Sequence, residues 1–142
     1  MKRSPTRAFV YPITEQAAAI QRLKQLIKAA CTVVCDEPGA VDPQTCLEEA
    51  DVLVVLISAE TAEAPRLSEL IALATRAGKR VVGVWSPGAQ ETELPPALHK
   101  YGDAVIPLEA GAVKAVICGG TSRWLTPRGQ PRPTPKTPRH KG

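Results

Sequence analysis

A single α/β domain built on a parallel β-sheet is the fold this sequence predicts, and three observations predict it. The first is the run Val52-Leu-Val-Val-Leu-Ile57, six consecutive aliphatic residues with no alternation. Such a run reads as a strand covered on both faces, and parallel sheets are the sheets that are covered so. The second is that short apolar runs alternate along the chain with segments of helical periodicity, the order of βαβ units. The third is composition: 44% of residues are apolar but only 4% aromatic. The core must therefore be aliphatic, as suits helices packed on such a sheet.

Ala8–Tyr11 reads as a first strand, closed by Pro12. Glu15–Ala30 reads as a helix, with Ile20, Leu23, Leu26 and Ile27 at spacings of three and four and Thr14 as N-cap. Thr32–Cys35 is a second strand, stopped by Asp36-Glu-Pro-Gly39. A short helix covers Pro43–Glu49. Asp51–Ser58 holds the central strand. Pro65 stands at a first helical position, Leu67, Leu70, Ile71 and Ala74 form that helix's apolar stripe, and Gly78 ends it. Arg80–Trp85 is a fourth strand, closed by Ser86-Pro-Gly88. Leu94–Tyr101 forms a helical turn, Ala104–Pro107 the last strand and Ala112–Ile117 the last helix. Strict alternation with short connections predicts five parallel strands with helices on both faces. This is a three-layer, flavodoxin-like sandwich of strand order 2-1-3-4-5, over residues 1–120.

Residues 121–142 differ in kind. Six basic residues (Arg123, Arg128, Arg132, Lys136, Arg139, Lys141) and no acid lie there, and apolar periodicity is absent. The segment reads as an extended or disordered, proline-rich tail suited to an acidic partner or nucleic acid, or to solubility alone. Of the 18 basic and 14 acidic residues in the chain, the 12 basic ones left before it are outnumbered. The domain is mildly acidic, which argues against a nucleic-acid-reading face. The basic start is followed by no sustained apolar segment, and no stretch approaches the roughly 18 apolar residues of a membrane span. The chain reads as cytoplasmic.

The four cysteines show no CxxC pair, and His99 and His140 stand alone. Buried free thiols are the expectation, with Cys31 and Cys35 on one face of the second strand and no metal site. No GxGxxG follows the first strand and no GxxxxGK[ST] occurs, so a dinucleotide fold and a P-loop are not indicated.

In open parallel sheets ligands bind beyond the carboxyl ends of the strands. Here those ends are Tyr11-Pro12, Asp36 to Gly39, Ser58 to Glu63, and Trp85 to Gly88. Glu69 lies about a turn into the helix after the central strand and off the centre of its apolar stripe. It can face the rim and stabilise an oxocarbenium-like centre, or simply complement the helix dipole. Tyr11 can stack a base or bond a ribose hydroxyl, or cap the sheet. Ser58 can donate to a ligand or cap its strand. Trp85 reads as packing, and Trp124 as an anchor for the tail.

Several segments together resemble the TIR domain, particularly the small bacterial TIR-like proteins. They are Phe9-Val-Tyr11, Asp36-Glu-Pro-Gly39, Asp51–Ser58, Ser68-Glu69-Leu70, Gly78-Lys-Arg-Val-Val-Gly-Val84, Leu94-Pro95, Tyr101-Gly102 and Ile117-Cys-Gly119. The likeness spans roughly residues 7–120. The aromatic common before the helix glutamate in that family is replaced here by Arg66-Leu67. The central segment also resembles nucleoside 2-deoxyribosyltransferases, which carry an aspartate-led apolar strand, a Ser/Thr-x-Glu-Leu helix and a Gly-Lys strand.

In both families the helix glutamate works at a ribose C1′ where an N-glycosidic bond breaks. The resemblance implies Glu69 as the catalytic residue and Tyr11, Asp36, Gly39, Ser58 and Ser68 as substrate-binding. It implies an enzyme that takes NAD as substrate rather than cofactor, by hydrolysis or by making a cyclic or conjugated ADP-ribose signal, in bacterial antiphage defence. It also implies a homo-oligomer or a partner effector protein. The alternatives are a deoxyribosyltransferase-like N-glycosidase and a non-catalytic module for assembly or nucleotide sensing.

Overall fold

The computed structural model of the chain describes residues 6–11, 16–36, 42–58, 65–90 and 94–131. Five strands form one sheet: β1 (Arg7–Val10), β2 (Thr32–Val33), β3 (Val52–Ile57), β4 (Arg80–Trp85) and β5 (Ala104–Pro107). All pairings are parallel and the order is β2-β1-β3-β4-β5, the flavodoxin-like order expected. The helices are α1 (Ala17–Lys28), α2 (Pro43–Glu49), α3 (Pro65–Arg76), α4 (Pro96–Tyr101) and the single turn α5 (Ala110–Ala112). The last runs on into a π-helical segment, Val113–Cys118. The N-cap expected at Thr14 lies outside the described residues.

Side chains along each strand alternate between two apolar layers. Ala8, Val10, Val54, Leu56, Val82, Val84 and Ile106 meet Ile20, Leu23 and Ile27 of α1 and Val113, Val116 and Ile117 of the π-helical segment. Phe9, Leu53, Val55, Ile57, Val81 and Trp85 meet Leu47 of α2, Leu67, Leu70, Ile71 and Ala74 of α3, and Leu98 of α4. All six residues of β3 are buried. Gly83 is a glycine for reasons of space: a Cβ there would stand 2.5 Å from Leu98 Cδ2 and 3.0 Å from Ile57 Cδ1.

α3 ends as its sequence predicts. Gly78 adopts φ 77°, its N–H donates to Thr75 O at 3.1 Å and that of Lys79 to Ala74 O at 3.0 Å. This pair of bonds is the Schellman motif, and a left-handed residue there is easiest for glycine.

The amino ends of the strands are tied by two aspartates. Asp51 Oδ2 accepts from the Arg7 N–H at 2.9 Å, and Asp103 Oδ2 from the Val81 N–H at 2.9 Å. Asp51 thereby satisfies the first donor of β1 and Asp103 the second of β4, whose first, the Arg80 N–H, donates to Asp51 O at 3.2 Å. The Arg7 N–H, then the nearby Arg7 guanidinium, holds the Asp51 carboxyl below its usual range.

The cysteines differ from expectation. Cys31 is bonded to Cys118 and Cys35 to Cys46, and no cysteine is free. Nor do Cys31 and Cys35 share a face. β2 is only two residues long, and Cys35 takes φ 53°, which breaks the alternation. Cys31 therefore packs in the α1 layer and Cys35 in the α2 layer. Cys31–Cys118 spans 87 residues and joins the chain after α1 to the end of the π-helical segment, whereas Cys35–Cys46 spans 11.

Thiol titration of the unreduced, denatured chain should find no free thiol, and four after reduction. Replacing Cys31 and Cys118 with alanine should lower stability by about 4 kcal/mol in chemical denaturation. The same change at Cys35 and Cys46 should cost about 1–2 kcal/mol less, because the denatured state loses a shorter loop constraint.

Candidate functional site

The parallel sheet sends every strand's carboxyl end to one rim, and an open cleft of about 430 Å³ lies there between the amino ends of α2 and α3. Its volume falls within the range of about 300–1,000 Å³ usual for small-molecule sites. The polar wall is Tyr11, Asp42, Gln44, Arg66 and Glu69, and Leu70 and Leu73 supply the apolar part.

Each element places its residue for a local reason. Tyr11 follows β1 and its N–H donates to Val54 O at 2.9 Å. Its ring is partly buried against both apolar layers, so it caps the sheet and lines the cleft at once. Asp42 is the N-cap of α2: Oδ2 accepts from the N–H groups of Gln44 at 3.1 Å and Thr45 at 3.3 Å, with Pro43 at the first helical position. On α3, Leu67, Leu70, Ile71 and Ala74 are buried. That fixes the helix's rotation and leaves Arg66 and Glu69 exposed, three residues apart on the cleft side.

The residues singled out from the sequence thus divide. Glu69 and Tyr11 come together. Ser68 is exposed on α3 and is not among the residues lining the cleft. Ser58 is buried, 3% exposed, at the carboxyl end of β3, also outside the cleft lining. Gly39 lies outside the described residues. Arg66 and Asp42 are the additions. The signal for Arg66 was its place one helical turn before Glu69, and for Asp42 the Asp-Pro start of a helix.

Asp36 stands with α1 instead. Its carboxylate meets Lys24 Nζ at 3.3 Å and is bonded by Lys28 Nζ, and its backbone carbonyl accepts from Lys24 Nζ at 3.3 Å. Lys24 and Lys28 lie four apart on one face of the helix. The Lys28 ammonium first, then that of Lys24, holds the Asp36 carboxyl below its usual range, against the opposing effect of burial. The arrangement is a structural ion pair joining the end of β2 to α1.

Among the described residues no group of three or more His, Cys, Asp or Glu side chains could hold a metal ion, and no helix is long and apolar enough to cross a membrane. The chain matches no protein-family model and no curated protein.

A lowered folded-state pKa makes Asp36 stabilising above its unfolded value near 3.8. That contribution fades as pH falls through the lower folded value. Asp36→Asn should therefore cost about 0.5–1 kcal/mol at pH 7, the upper end for a partly exposed pair. It should also flatten the loss of stability on acidification from about pH 4 downward. Urea denaturation of both proteins at pH 7 and pH 3 measures the two effects.

Proposed function

We propose that the chain is a TIR-like enzyme that cleaves the N-glycosidic bond between nicotinamide and ribose in NAD, with Glu69 as its catalytic carboxylate. The observation that carries the reading is the meeting of Glu69 and Tyr11, far apart in sequence, in one cleft at the carboxyl rim. The resemblance of Ser68-Glu69-Leu70 and of the flanking strands to families that break such bonds supplies the chemistry.

As the base leaves, positive charge develops at C1′ of the ribose. A carboxylate placed there stabilises the transition state more than the ground state, which is what raises turnover. Arg66, on the same helix face, offers a guanidinium to the diphosphate, and the Tyr11 ring a surface for the base. Because the cleft is open and Glu69 exposed, water has to be excluded by the substrate or by a second copy of the chain. By the same resemblance, the product would be free or cyclised ADP-ribose, acting in defence against phage.

The disulfides bear on where such a reaction runs. Cystines persist in oxidising compartments and are reduced in the cytosol, so a cytoplasmic enzyme would work with four thiols. Alkylating freshly lysed cells and counting modified cysteines by mass spectrometry separates the two settings.

The test of activity is incubation of the concentrated full-length chain with NAD and, separately, with deoxynucleosides, followed by chromatography. NAD should be cleaved, and Glu69→Gln should lower turnover by about two orders of magnitude or more with an unchanged thermal midpoint. Equal turnover by wild type and Glu69→Gln would remove Glu69 from the chemistry. Turnover of deoxynucleosides alone would point to the deoxyribosyltransferase reading, and turnover of neither by the assembled chain to a sensing or assembly module.

A further inference from the structure

A second open cleft, of about 380 Å³, lies at the same rim beyond the carboxyl ends of β4 and β5. It is on the α1 side of the sheet and shares no lining residue with the cleft at Glu69. Its charged lining residues are Arg22 of α1, Arg128 and Glu109. Both arginines are exposed, and neither guanidinium has a carboxylate or hydrogen-bond partner among the described residues. Two arginines lining one cleft without a carboxylate partner make it a place where an anion is favoured.

The cleft also carries Ser86, only 6% exposed. Its N–H donates to Ile57 O at 3.0 Å and its carbonyl accepts from the Ala89 N–H at 3.0 Å. Its hydroxyl has no hydrogen-bond partner among the described residues. A buried hydroxyl without a partner is unfavourable, and a ligand oxygen in the cleft would supply one.

Arg128 is held there by a built turn. Thr126 Oγ1 accepts from the N–H groups of Arg128 at 3.3 Å and Gln130 at 3.1 Å. The Thr126 N–H donates to Gln130 O at 2.7 Å, and Gly129 takes φ 86° to close the loop. The turn is moored to the sheet by Trp85 Nε1, which donates to Leu125 O at 2.8 Å, and by the Leu125 N–H, which donates to Val105 O at 2.8 Å.

We infer that this second cleft is a binding site for a phosphate-bearing small molecule, gripped by Arg22 and Arg128. Guanidinium groups match phosphate oxygens with paired, charge-assisted hydrogen bonds, and Ser86 adds a hydroxyl donor. Glu109 lies at the start of α5 with its side chain making no cap bond. It is an acceptor suited to a sugar hydroxyl, so a mononucleotide satisfies the lining better than a bare phosphate ion. Pro87, Pro107 and Leu108 supply apolar wall for the base or sugar.

Calorimetric titration of the full chain with AMP, inorganic phosphate and adenosine tests the site. AMP should bind, adenosine should bind at least tenfold more weakly, and added salt should weaken AMP. Arg22→Gln and Arg128→Gln should each weaken AMP by about tenfold. Ser86→Ala should weaken it severalfold, and Arg76→Gln, at an exposed arginine of α3 that lines neither cleft, should leave it unchanged. Both arginines are exposed and unpaired, so unchanged thermal midpoints should show these variants folded. Inorganic phosphate binding as tightly as AMP, and lost in the same two variants, would support the site and identify phosphate alone as what it reads. Absence of phosphate-dependent binding at millimolar concentrations would overturn the inference. So would equal binding by the Arg22→Gln/Arg128→Gln double variant, which would place AMP elsewhere on the molecule.

Discussion

Burial of β3 on both faces is the constraint from which the rest of the molecule follows. Its residues are at most 1% exposed, so neither face can meet water. The backbone is satisfied by pairing with β1 on one side and along its full length with β4 on the other. A strand so placed demands a helical layer above and below. The chain supplies α1 and the π-helical segment on one face and α2, α3 and α4 on the other. Parallel pairing then gathers all carboxyl ends at one rim. The amino rim is occupied by structural bonds, those of Asp51 and Asp103 to the starts of β1 and β4. The carboxyl rim is where both clefts open. The position of candidate chemistry is thus a consequence of sheet topology before any side chain is considered.

What could be read from the sequence was what hydrophobic periodicity encodes. The unbroken run in β3, the stripe of α3 and its glycine stop all appear as expected, and from them came the sheet order and the orientation of Glu69. Periodicity was silent where the information is long-range. The pairing of Cys31 with Cys118 needs the end of α1 and the end of the last helix to be neighbours, which only the folded topology provides. Cys35 escapes strand alternation because β2 ends two residues before it, at Val33, and φ turns positive at Cys35 itself. The π-helical segment was hidden for a different reason. Val113, Val116 and Ile117 are its buried residues, and spacings of three and one suit an α-helix equally. Asp36 lies outside the cleft lining and pairs with Lys24 and Lys28, a contact that depends on how β2 lies beside α1.

The boundary of the domain shows how composition and structure can divide a chain differently. Charge and proline content change at about residue 120, yet hydrogen bonding continues beyond it. β5 is paired with β4 on one side only, and an uncovered strand edge invites association with other chains. Here the Val105 N–H donates to Arg123 O at 2.8 Å and Val105 O accepts from the Leu125 N–H at 2.8 Å, so residues 123–125 cover that edge. Trp124 adds an edge-on contact with the His99 ring of α4, 6.3 Å between centroids. The same segment answers a need of the core. Trp85 is among the largest fully buried side chains, and its indole N–H requires an acceptor, which is Leu125 O. Arg80, half-buried at the opposite end of β4, reaches across to Val116 O at 2.7 Å and Thr121 O at 3.1 Å. Its guanidinium thereby ends the π-helical segment and directs the chain toward the β5 edge. Burial disfavours its charged form, but the two carbonyls accept its hydrogen bonds and hold it in place. Residues 121–131 are therefore bound to the sheet at both ends of β4. Pro131 bridges back to Leu125. The segment that reads as a tail is, over its first half, tied to the edge of the sheet.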